Sequence, residues 1–332
     1  MSQALIARRQ EELGGLGFAG LPAIISAAGD RASFRFIEFF TANIRNPNTR
    51  VSYGRAVREF CHWCEERRLS LEDLNPVVVA GYVELLGQPI EKSGRGYSKP
   101  SVKQHLAAIR ILFDYLVTGG ILPMNPASSV RGPKYSIKRG KTLVLTAEES
   151  RQLLDSIETD TIIGLRDRAL IGVMVSSFSR VSAATSMRVE DYFQVGKRWK
   201  FRSIEKGGKY NEVFAHPNAE AYVDAYLEAA GTRQQMKSPL FRTLDRKVLL
   251  SPRAMHRTDA LRMVKRRAVA AGLSASTCNH SFRATGISTY LKNGGRVEVA
   301  QQIAGHESAR TTGLYDRRDD EVSLDEVEKI II

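Results

Sequence analysis

Four residues near the end of the chain carry side chains that could act together on an anionic group. His280 and Arg283 are three residues apart, so on a helix they lie one turn apart and face the same site. His306 comes later, and Tyr315 follows nine residues after it. Arginine binds paired anionic oxygens, histidine moves protons near neutral pH, and tyrosine offers an oxygen nucleophile.

Two upstream residues could complete this set. Arg180 follows an apolar stretch that predicts a helix. Lys206 lies in residues 198–214, where aromatic and β-branched residues alternate with polar ones on either side of Gly207-Gly208. This pattern predicts a β-hairpin with Lys206 and Lys209 flanking its tip.

Motifs for several other kinds of catalysis do not occur in the sequence. There is no glycine-rich loop ending in Gly-Lys-Ser/Thr, no Gly-x-Gly-x-x-Gly after a strand, no His-Glu-x-x-His and no acidic cluster suited to Mg²⁺. We therefore expect neither an ATP site nor a metal or other cofactor. Cys61 and Cys64 have the spacing of a metal or redox pair, but they lie in a helical apolar pattern without a second pair, which favours buried thiols.

The charge distribution indicates a polyanionic partner. The 332 residues include 49 Lys and Arg against 36 Asp and Glu, a formal net charge of +13, and the isoelectric point is near 9.7. Such a balance is typical of nucleic-acid-binding proteins. Residues 319–332 hold six acids and one base, a net charge of −5, which leaves +18 for the rest of the chain. We do not expect this acidic tail to lie on the polyanion that the basic body binds.

Composition also bears on where the protein works. No run approaches the ~18 apolar residues that a membrane-spanning helix needs. The N-terminus has Glu11 and Glu12 beside its arginines and then only a short, glycine-broken apolar stretch, which does not fit a signal peptide. Three cysteines are too few for a disulfide framework. We expect a cytoplasmic protein without a membrane partner.

Periodicity separates a helical first part from a mixed second part. Residues 1–30 combine mixed polarity with several glycines and predict a loose arm. Residues 33–118 keep a 3.6-residue apolar period, broken by turn signals, and predict a bundle of four main helices. The basic stretch of residues 131–141 contains no acid and is either a solvated linker or a segment that runs along a phosphate backbone. Its cations are Arg131, Lys134, Lys138, Arg139 and Lys141.

A second helical domain begins at a predicted capping box, Thr146 to Glu149. The helix predicted over 252–271 is rich in Arg and Lys, and we expect it to present a stripe to phosphates that includes Arg257 and Arg266. The fold class is therefore mainly α with a small β-hairpin or sheet. Helices are predicted over 147–157, 163–178, 218–230, 252–271, 281–293 and 296–304.

Together these segments resemble the tyrosine recombinase (phage integrase) family, over about residues 30–318. The family's C-terminal signature is His-x-x-Arg, then Gly-His, then the nucleophilic tyrosine, and it matches HSFRATGISTYLKNGGRVEVAQQIAGHESARTTGLYDRR. The segment of the family's first arginine is similar to SFSRVSAATSMRVEDYF, and the hairpin of its catalytic lysine is similar to EKGGKYNEVFAHP.

Three positions depart from that family pattern. Ala183 stands three residues after Arg180, where the family often has a glutamate, so support for Arg180 must come from elsewhere. Ser179 precedes Arg180 where a hydrophobic residue is common, and Ala284 follows Arg283 where a second histidine is common. None of these departures removes a catalytic group.

The resemblance implies an exchange of DNA phosphodiester bonds. Tyr315 would be the nucleophile that forms a 3′-phosphotyrosyl bond, and Arg180 and Arg283 would clamp the phosphoryl oxygens. Lys206 would be the general acid for the 5′-oxygen. His280 would be the base or proton relay for the nucleophile, and His306 would donate a hydrogen bond to a non-bridging oxygen.

The same resemblance implies a domain order. It is an N-terminal arm (1–30), a helical core-binding, SAM-like DNA-binding domain (31–130), a basic interdomain linker (131–145), a mixed α/β catalytic domain (146–318) and an acidic tail (319–332). Weaker candidates for DNA contact are Arg131, Lys134, Lys138, Arg139, Lys141, Lys209, Arg257 and Arg266.

The implied partner is double-stranded DNA with paired inverted-repeat sites. A homotetramer would assemble on it through the C-terminal tails, and the protein would then be associated with the nucleoid. Two other readings of the sequence stay open. One is a type IB topoisomerase, which shares the chemistry but needs no paired sites, and the other is a DNA-binding protein that keeps the fold without cutting.

Overall fold

Two units make up the fold, residues 1–136 and residues 137–332. Among the helices of the residues described, none is both long and apolar enough to cross a membrane. The computed structural model describes residues 14, 16, 18, 20–89, 94, 96–136, 140–205, 208, 210–247 and 249–317.

Capping residues and prolines set the helix starts of the first unit. The side-chain oxygens of Asn46 and Asn75 each accept two backbone N–H groups, and a proline follows each asparagine at the first helical position. Ser98 caps the last helix by accepting from the backbone N–H of Ser101. The helices are α1 (Ala23–Ser26), α2 (Asp30–Glu38), which continues into a π-helical turn (Phe39–Asn43), α3 (Pro47–Glu66), α4 (Pro76–Leu86) and α5 (Lys99–Thr118).

Aromatic rings fill the core of this unit. Phe36, Phe60 and Phe113 are fully buried, and Phe60 meets Phe113 edge to face with ring centroids 5.9 Å apart. Cys61 and Cys64 lie in the same core, where burial raises the pKa of Cys64 to about 12. The prediction of two buried thiols is confirmed, and both are unreactive at neutral pH.

Part of the predicted N-terminal arm packs on that core. Ile24 and Ile25 are buried, and the Phe18 ring meets Phe36 edge to face at 5.6 Å. These apolar contacts make Phe18, Ile24 and Ile25 part of the core of the first unit.

The second unit begins at the predicted capping box. Thr146 Oγ1 accepts from the Glu149 backbone N–H at 3.1 Å, and Glu149 Oε2 accepts from the Thr146 N–H at 2.8 Å. The elements are α6 (Ala147–Asp155), α7 (Ile162–Ser176), α8 (Val181–Ser186), β1 (Tyr192–Val195), β2 (Arg198–Ile204), β3 (Tyr210–Phe214), α9 (Pro217–Ala230), β4 (Arg242–Leu244), β5 (Leu250–Ala254), α10 (Arg257–Ala270), α11 (Asn279–Lys292), α12 (Val297–Ala304) and α13 (Ala309–Gly313).

The predicted β-hairpin forms strands β2 and β3 of a three-stranded antiparallel sheet with the order β1-β2-β3. Phe201 on β2 faces the core, whereas Tyr210 and Phe214 of β3 are exposed. Asn211 Nδ2 donates to the carbonyl of Ile303 at 2.8 Å, which ties β3 to α12. The mainly α fold with small sheets is confirmed.

The helix predicted over 252–271 is wrong in its first five residues. β5 pairs antiparallel with β4, with Arg242 opposite Ala254 and Leu244 opposite Leu250. The helix itself starts after His256, whose Nδ1 accepts from the Thr258 N–H at 3.3 Å. Strand pairing over a loop is a tertiary preference that a local apolar period does not reveal.

A buried carboxylate with several arginines links α7 to α10. Asp167 is fully buried, and its Oδ1 accepts from Arg166 Nη2 at 2.7 Å. Its Oδ2 accepts from Arg267 Nε and Nη2 at 3.0 and 2.9 Å, and Arg266 Nη2 lies 3.6 Å away. Such a network is strongly stabilising only while every charge keeps its partner.

We expect Asp167→Ala to destabilise the protein by about 3–5 kcal/mol, because buried arginine charge then loses its counter-ion. Urea unfolding measures this change. The matched control is Asp259→Ala, which removes the exposed 3.1 Å ion pair between Asp259 and Arg262 within α10. This change should cost about 1 kcal/mol or less. Equal losses for the two variants would contradict the importance of burial.

Candidate active site

Arg283 is the most deeply buried charged residue of the site and projects from α11. Its Nη2 donates to the carbonyl of Ala304 at 2.6 Å, and its Nη1 donates to the carbonyl of Phe178. Burial and then the charge of Arg180 lower the pKa of Arg283 to about 10, while Glu205 and Tyr315 act in the opposite direction. The guanidinium therefore stays charged at neutral pH in a fixed orientation.

Phe178, whose carbonyl accepts the hydrogen bond from Arg283, has an unusual backbone conformation. Phe178 has a φ of 52°, in the left-handed region that a phenylalanine rarely adopts. Its ring packs with Ile287 and Leu291, and a Cβ at Gly286 would lie 2.1 Å from the Val175 carbonyl. The close approach of α11 to the end of α7 thus turns the Phe178 carbonyl towards Arg283.

Arg180 lies two residues after Phe178 and occupies the N-cap position of α8. Its Nη1 donates to Glu205 Oε2, with the Arg180 side chain 30% exposed and the Glu205 side chain 3% exposed. The support that Ala183 does not supply therefore comes from Glu205 at the end of β2. Sequence reasoning missed this residue, and its one signal was a lone acid directly before the predicted lysine.

His306 follows Gly305, which has a φ of 58°. Its Nδ1 lies 2.9 Å from Thr312 Oγ1. Burial, and then the charges of Arg283 and Arg180, lower the pKa of His306 to about 4. The ring is therefore neutral at pH 7. If Nδ1 accepts from Thr312, the proton on Nε2 is free to bind an anionic oxygen.

Tyr315 lies in the turn after α13. Its ring is stacked with that of His306, with centroids 5.8 Å apart and an angle of 11° between the planes. Its backbone N–H donates to the Thr312 carbonyl at 2.9 Å, and its own carbonyl accepts from Ser288 Oγ at 2.8 Å. The tyrosine is held from both sides and is half-buried.

The chain around Tyr315 is also tied to the start of the second unit. The Gly140 N–H donates to the Leu314 carbonyl at 3.0 Å, and Arg317 Nη2 donates to the Thr142 carbonyl at 2.8 Å. A Cβ at Gly140 would lie 2.7 Å from the Leu314 carbonyl oxygen. Glycine at this position is therefore what allows the two segments to lie so close.

His280 is exposed in the first turn of α11. Loss of surrounding water, and then the positive charges of Arg283 and Arg180, lower its pKa. At neutral pH this histidine is largely neutral and able to accept a proton.

The structure brings together five of the six predicted catalytic residues, which are Arg180, His280, Arg283, His306 and Tyr315. Lys206 lies outside the described residues, as do Lys138, Arg139 and Lys209. The neighbouring Glu205 is described, and a Cβ at Gly305 would lie 3.3 Å from its Cγ, so β2 ends beside His306. The described residues include no group of three or more His, Cys, Asp or Glu side chains arranged to hold a metal ion.

The remaining candidates for DNA contact are exposed residues. Arg131 and Lys134 belong to the first unit, and Lys141 and Arg257 belong to the second. Arg266 is exposed too, but its guanidinium is shared with the buried Asp167.

Comparisons with known proteins show the family to which the chain is similar. Residues 143–321 match the phage integrase family, and residues 35–120 match the N-terminal SAM-like domain of phage integrases. The chain is 30% identical over 255 residues to the tyrosine recombinase XerC of Vibrio atlanticus, covering 76% of this chain and 77% of that protein. It is 25% identical over 272 residues to the tyrosine recombinase XerD of Listeria monocytogenes, covering 81% of this chain and 87% of that protein.

Solved structures share the fold. A post-cleavage complex of the XerH site-specific recombinase bound to palindromic difH substrate has a TM-score of 0.66 at 17% identity, covering 98% of this chain and 93% of that chain. A lambda integrase dimer bound to a COC′ core site has a TM-score of 0.65 at 17% identity, covering 97% of this chain and 83% of that chain. Since the family match extends over more than half of its residues, the chain belongs to the phage integrase family of tyrosine recombinases.

Proposed function

We propose that this protein is a site-specific DNA recombinase that cuts and rejoins DNA through a covalent bond between Tyr315 and a 3′-phosphate. The observation that carries the proposal is the surroundings of Tyr315. Its ring stacks on His306, and its interaction with Arg283 raises the pKa of that arginine against the lowering by burial and Arg180. A nucleophile among fixed cations suits attack on a phosphodiester, whose transition state places charge on the non-bridging oxygens.

Three residues would stabilise that charge. Arg180 and Arg283 carry permanent positive charge and forked donors that fit phosphoryl oxygens. His306 is neutral and would donate one hydrogen bond from Nε2. Arg180, Arg283 and Lys206 would together supply the positive charge that a metal ion supplies in other phosphoryl-transfer enzymes.

Two residues would move protons. As the Tyr315 oxygen bonds to phosphorus and the bond from phosphorus to the 5′-oxygen breaks, the phenolic proton would pass to His280. The departing 5′-oxygen would take a proton from Lys206. The reverse sequence rejoins the strand. Because one phosphoester replaces another, the bond energy is conserved and no ATP is needed.

A trapping experiment tests the proposal. Duplexes from the DNA around the gene carry a nick just beyond each candidate site, so that the short fragment bearing the free 5′-hydroxyl diffuses away after cleavage and the adduct accumulates. We expect a protein–DNA adduct that survives denaturant and is digested by protease. DNA binding without any adduct would instead indicate a protein that keeps the fold without cutting.

The same preparation separates the recombinase from a type IB topoisomerase. A topoisomerase would relax supercoiled plasmid of any sequence as a monomer. A recombinase acts only on plasmid that carries its paired sites. Relaxation of plasmid without such sites would contradict the proposed function.

We further propose that the partner is duplex DNA with paired inverted repeats. The solved relatives include a recombinase on a palindromic substrate and an integrase tetramer on a Holliday junction. In this protein, cations in and around the predicted linker, among them Arg131, Lys134 and Lys141, are exposed and available for the phosphate backbone.

The acidic tail would join protomers on the DNA rather than bind the DNA itself. Its apolar residues recur at mainly helical spacing, a pattern that favours burial of one face, and they are Val322, Leu324, Val327, Ile330 and Ile331. The family resemblance implies that a neighbouring protomer, rather than the tail's own domain, covers this face. Deleting residues 322–332 should leave binding to one half-site nearly unchanged but weaken cooperative binding to two. Gel shifts on single and paired half-sites measure both. Unchanged cooperativity would rule out docking on a neighbour.

A further inference from the structure

Glu205 carries a buried carboxylate to which the family resemblance assigns no role. The residue is 5% exposed and directly follows β2. Its Oε2 accepts from Arg180 Nη1, and its Oε1 has no hydrogen-bond partner among the described residues. An isolated buried carboxylate is strongly unfavourable, so the carboxylate and the guanidinium hold each other firmly.

The surrounding backbone makes room for this pair. A Cβ at Gly305 would lie 3.3 Å from Glu205 Cγ, so the absence of a side chain there leaves space for the carboxylate. The Asn211 side chain bonds to Ile303, which anchors the other strand of the hairpin on α12. Both strands that flank Glu205 are thereby fixed relative to His306.

The positive charges of Arg180 and Arg283 repel each other, and a nearby carboxylate reduces this repulsion. Arg180 and Arg283 are close enough for the charge of one to lower the pKa of the other, and Glu205 acts in the opposite direction. One carboxylate therefore offsets part of the repulsion between two guanidiniums that must point at the same phosphate.

We infer that Glu205 is a positioning residue that holds one edge of the Arg180 guanidinium and leaves its remaining N–H groups for the scissile phosphate. This inference rests on the proposed function. It gives Glu205 no contact with the DNA and no proton to transfer. Its effect on the reaction passes through the arginines, above all through Arg180, the one that it contacts directly.

The test is a double-mutant cycle on the nicked substrate. Glu205→Ala should slow adduct formation by about 10²-fold, the order expected when a catalytic group is misplaced by about 1 Å, with DNA affinity nearly unchanged. Arg180→Ala should be slower still, and the double variant no slower than Arg180→Ala. Glu205→Gln should fall between wild type and Glu205→Ala, because its amide oxygen still accepts from Nη1 but carries no charge.

A second readout depends on the phosphate. When a methyl group replaces one non-bridging oxygen, the scissile group is neutral before attack and needs less positive charge. The losses caused by Arg180→Ala and by Glu205→Ala should then shrink together. A role of Glu205 in folding alone would leave its loss unchanged.

Glu212→Gln is the matched control, since Glu212 lies on the same hairpin and accepts from Arg202 Nε at 3.2 Å but is 42% exposed. It should keep the wild-type rate. If Glu205→Ala does not fold, a loss with Glu205→Gln that exceeds the control carries the same conclusion. Additive losses in the cycle, or wild-type rates for both Glu205 variants while Arg180→Ala is slow, would overturn the inference. Failure of the wild-type protein to form any adduct would instead overturn the proposed function.

Discussion

Tyr315→Phe should abolish the covalent adduct on nicked DNA and leave DNA binding intact. The change removes one oxygen and keeps the ring that stacks on His306. Phenylalanine offers no nucleophile, so loss of the adduct is complete rather than partial. Denaturing gels of the trapping reaction measure the adduct, and gel shifts measure binding.

Tyr290→Phe is the control for this change. Like Tyr315, Tyr290 packs against the apolar cluster that contains Phe178 and Ile287, with its ring 6.2 Å from that of Phe178, but no contact among the described residues places its hydroxyl with the arginines. This variant should form the adduct at the wild-type rate. A normal amount of adduct from Tyr315→Phe would show that another residue is the nucleophile.

Lys206→Ala should slow cleavage by about 10²–10⁴-fold, the usual contribution of general acid catalysis. Glu205, its neighbour in the chain, bonds to Arg180. A 5′-alkoxide leaves poorly without a proton. A sulfur at the 5′-bridging position leaves readily without a proton. A substrate that carries this sulfur should therefore restore most of the cleavage rate of Lys206→Ala.

Two comparisons make this result specific to proton transfer. The sulfur substrate should not rescue Arg180→Ala or Arg283→Ala, because those changes remove charge stabilisation. It should have little effect on Lys209→Ala. Rescue of Lys209→Ala and not of Lys206→Ala would move the general acid to the other side of the Gly207-Gly208 turn.

The sequence predicted which residues meet, but not what holds them. His280 and Arg283 share a helix turn, and the family resemblance implied that His306 and Tyr315 join them. Glu205 was missed because its partnership with Arg180 spans 25 positions and joins a strand to a helix cap. Local patterns carry no information about such a contact.

The same limit applies to buried charge. Arg166 and Asp167 lie in an apolar helical stretch, and their adjacency does not indicate a network. The network depends on Arg267, which is 100 positions away on α10. Likewise, the strand pairing of β5 replaced a helix prediction over residues 252–256. Elements with strong local signals, such as the capping box at Thr146, were placed correctly.

The bonds between Gly140, Thr142 and the chain around Tyr315 join two places that are far apart in sequence. The Gly140 N–H holds the Leu314 carbonyl on one side of the tyrosine, and Arg317 holds the Thr142 carbonyl on the other. A force applied to residues 140–142 must either break these bonds or move Tyr315 with them. Residues 140–142 are thus coupled to the chain on both sides of Tyr315, so the position of one depends on the position of the other.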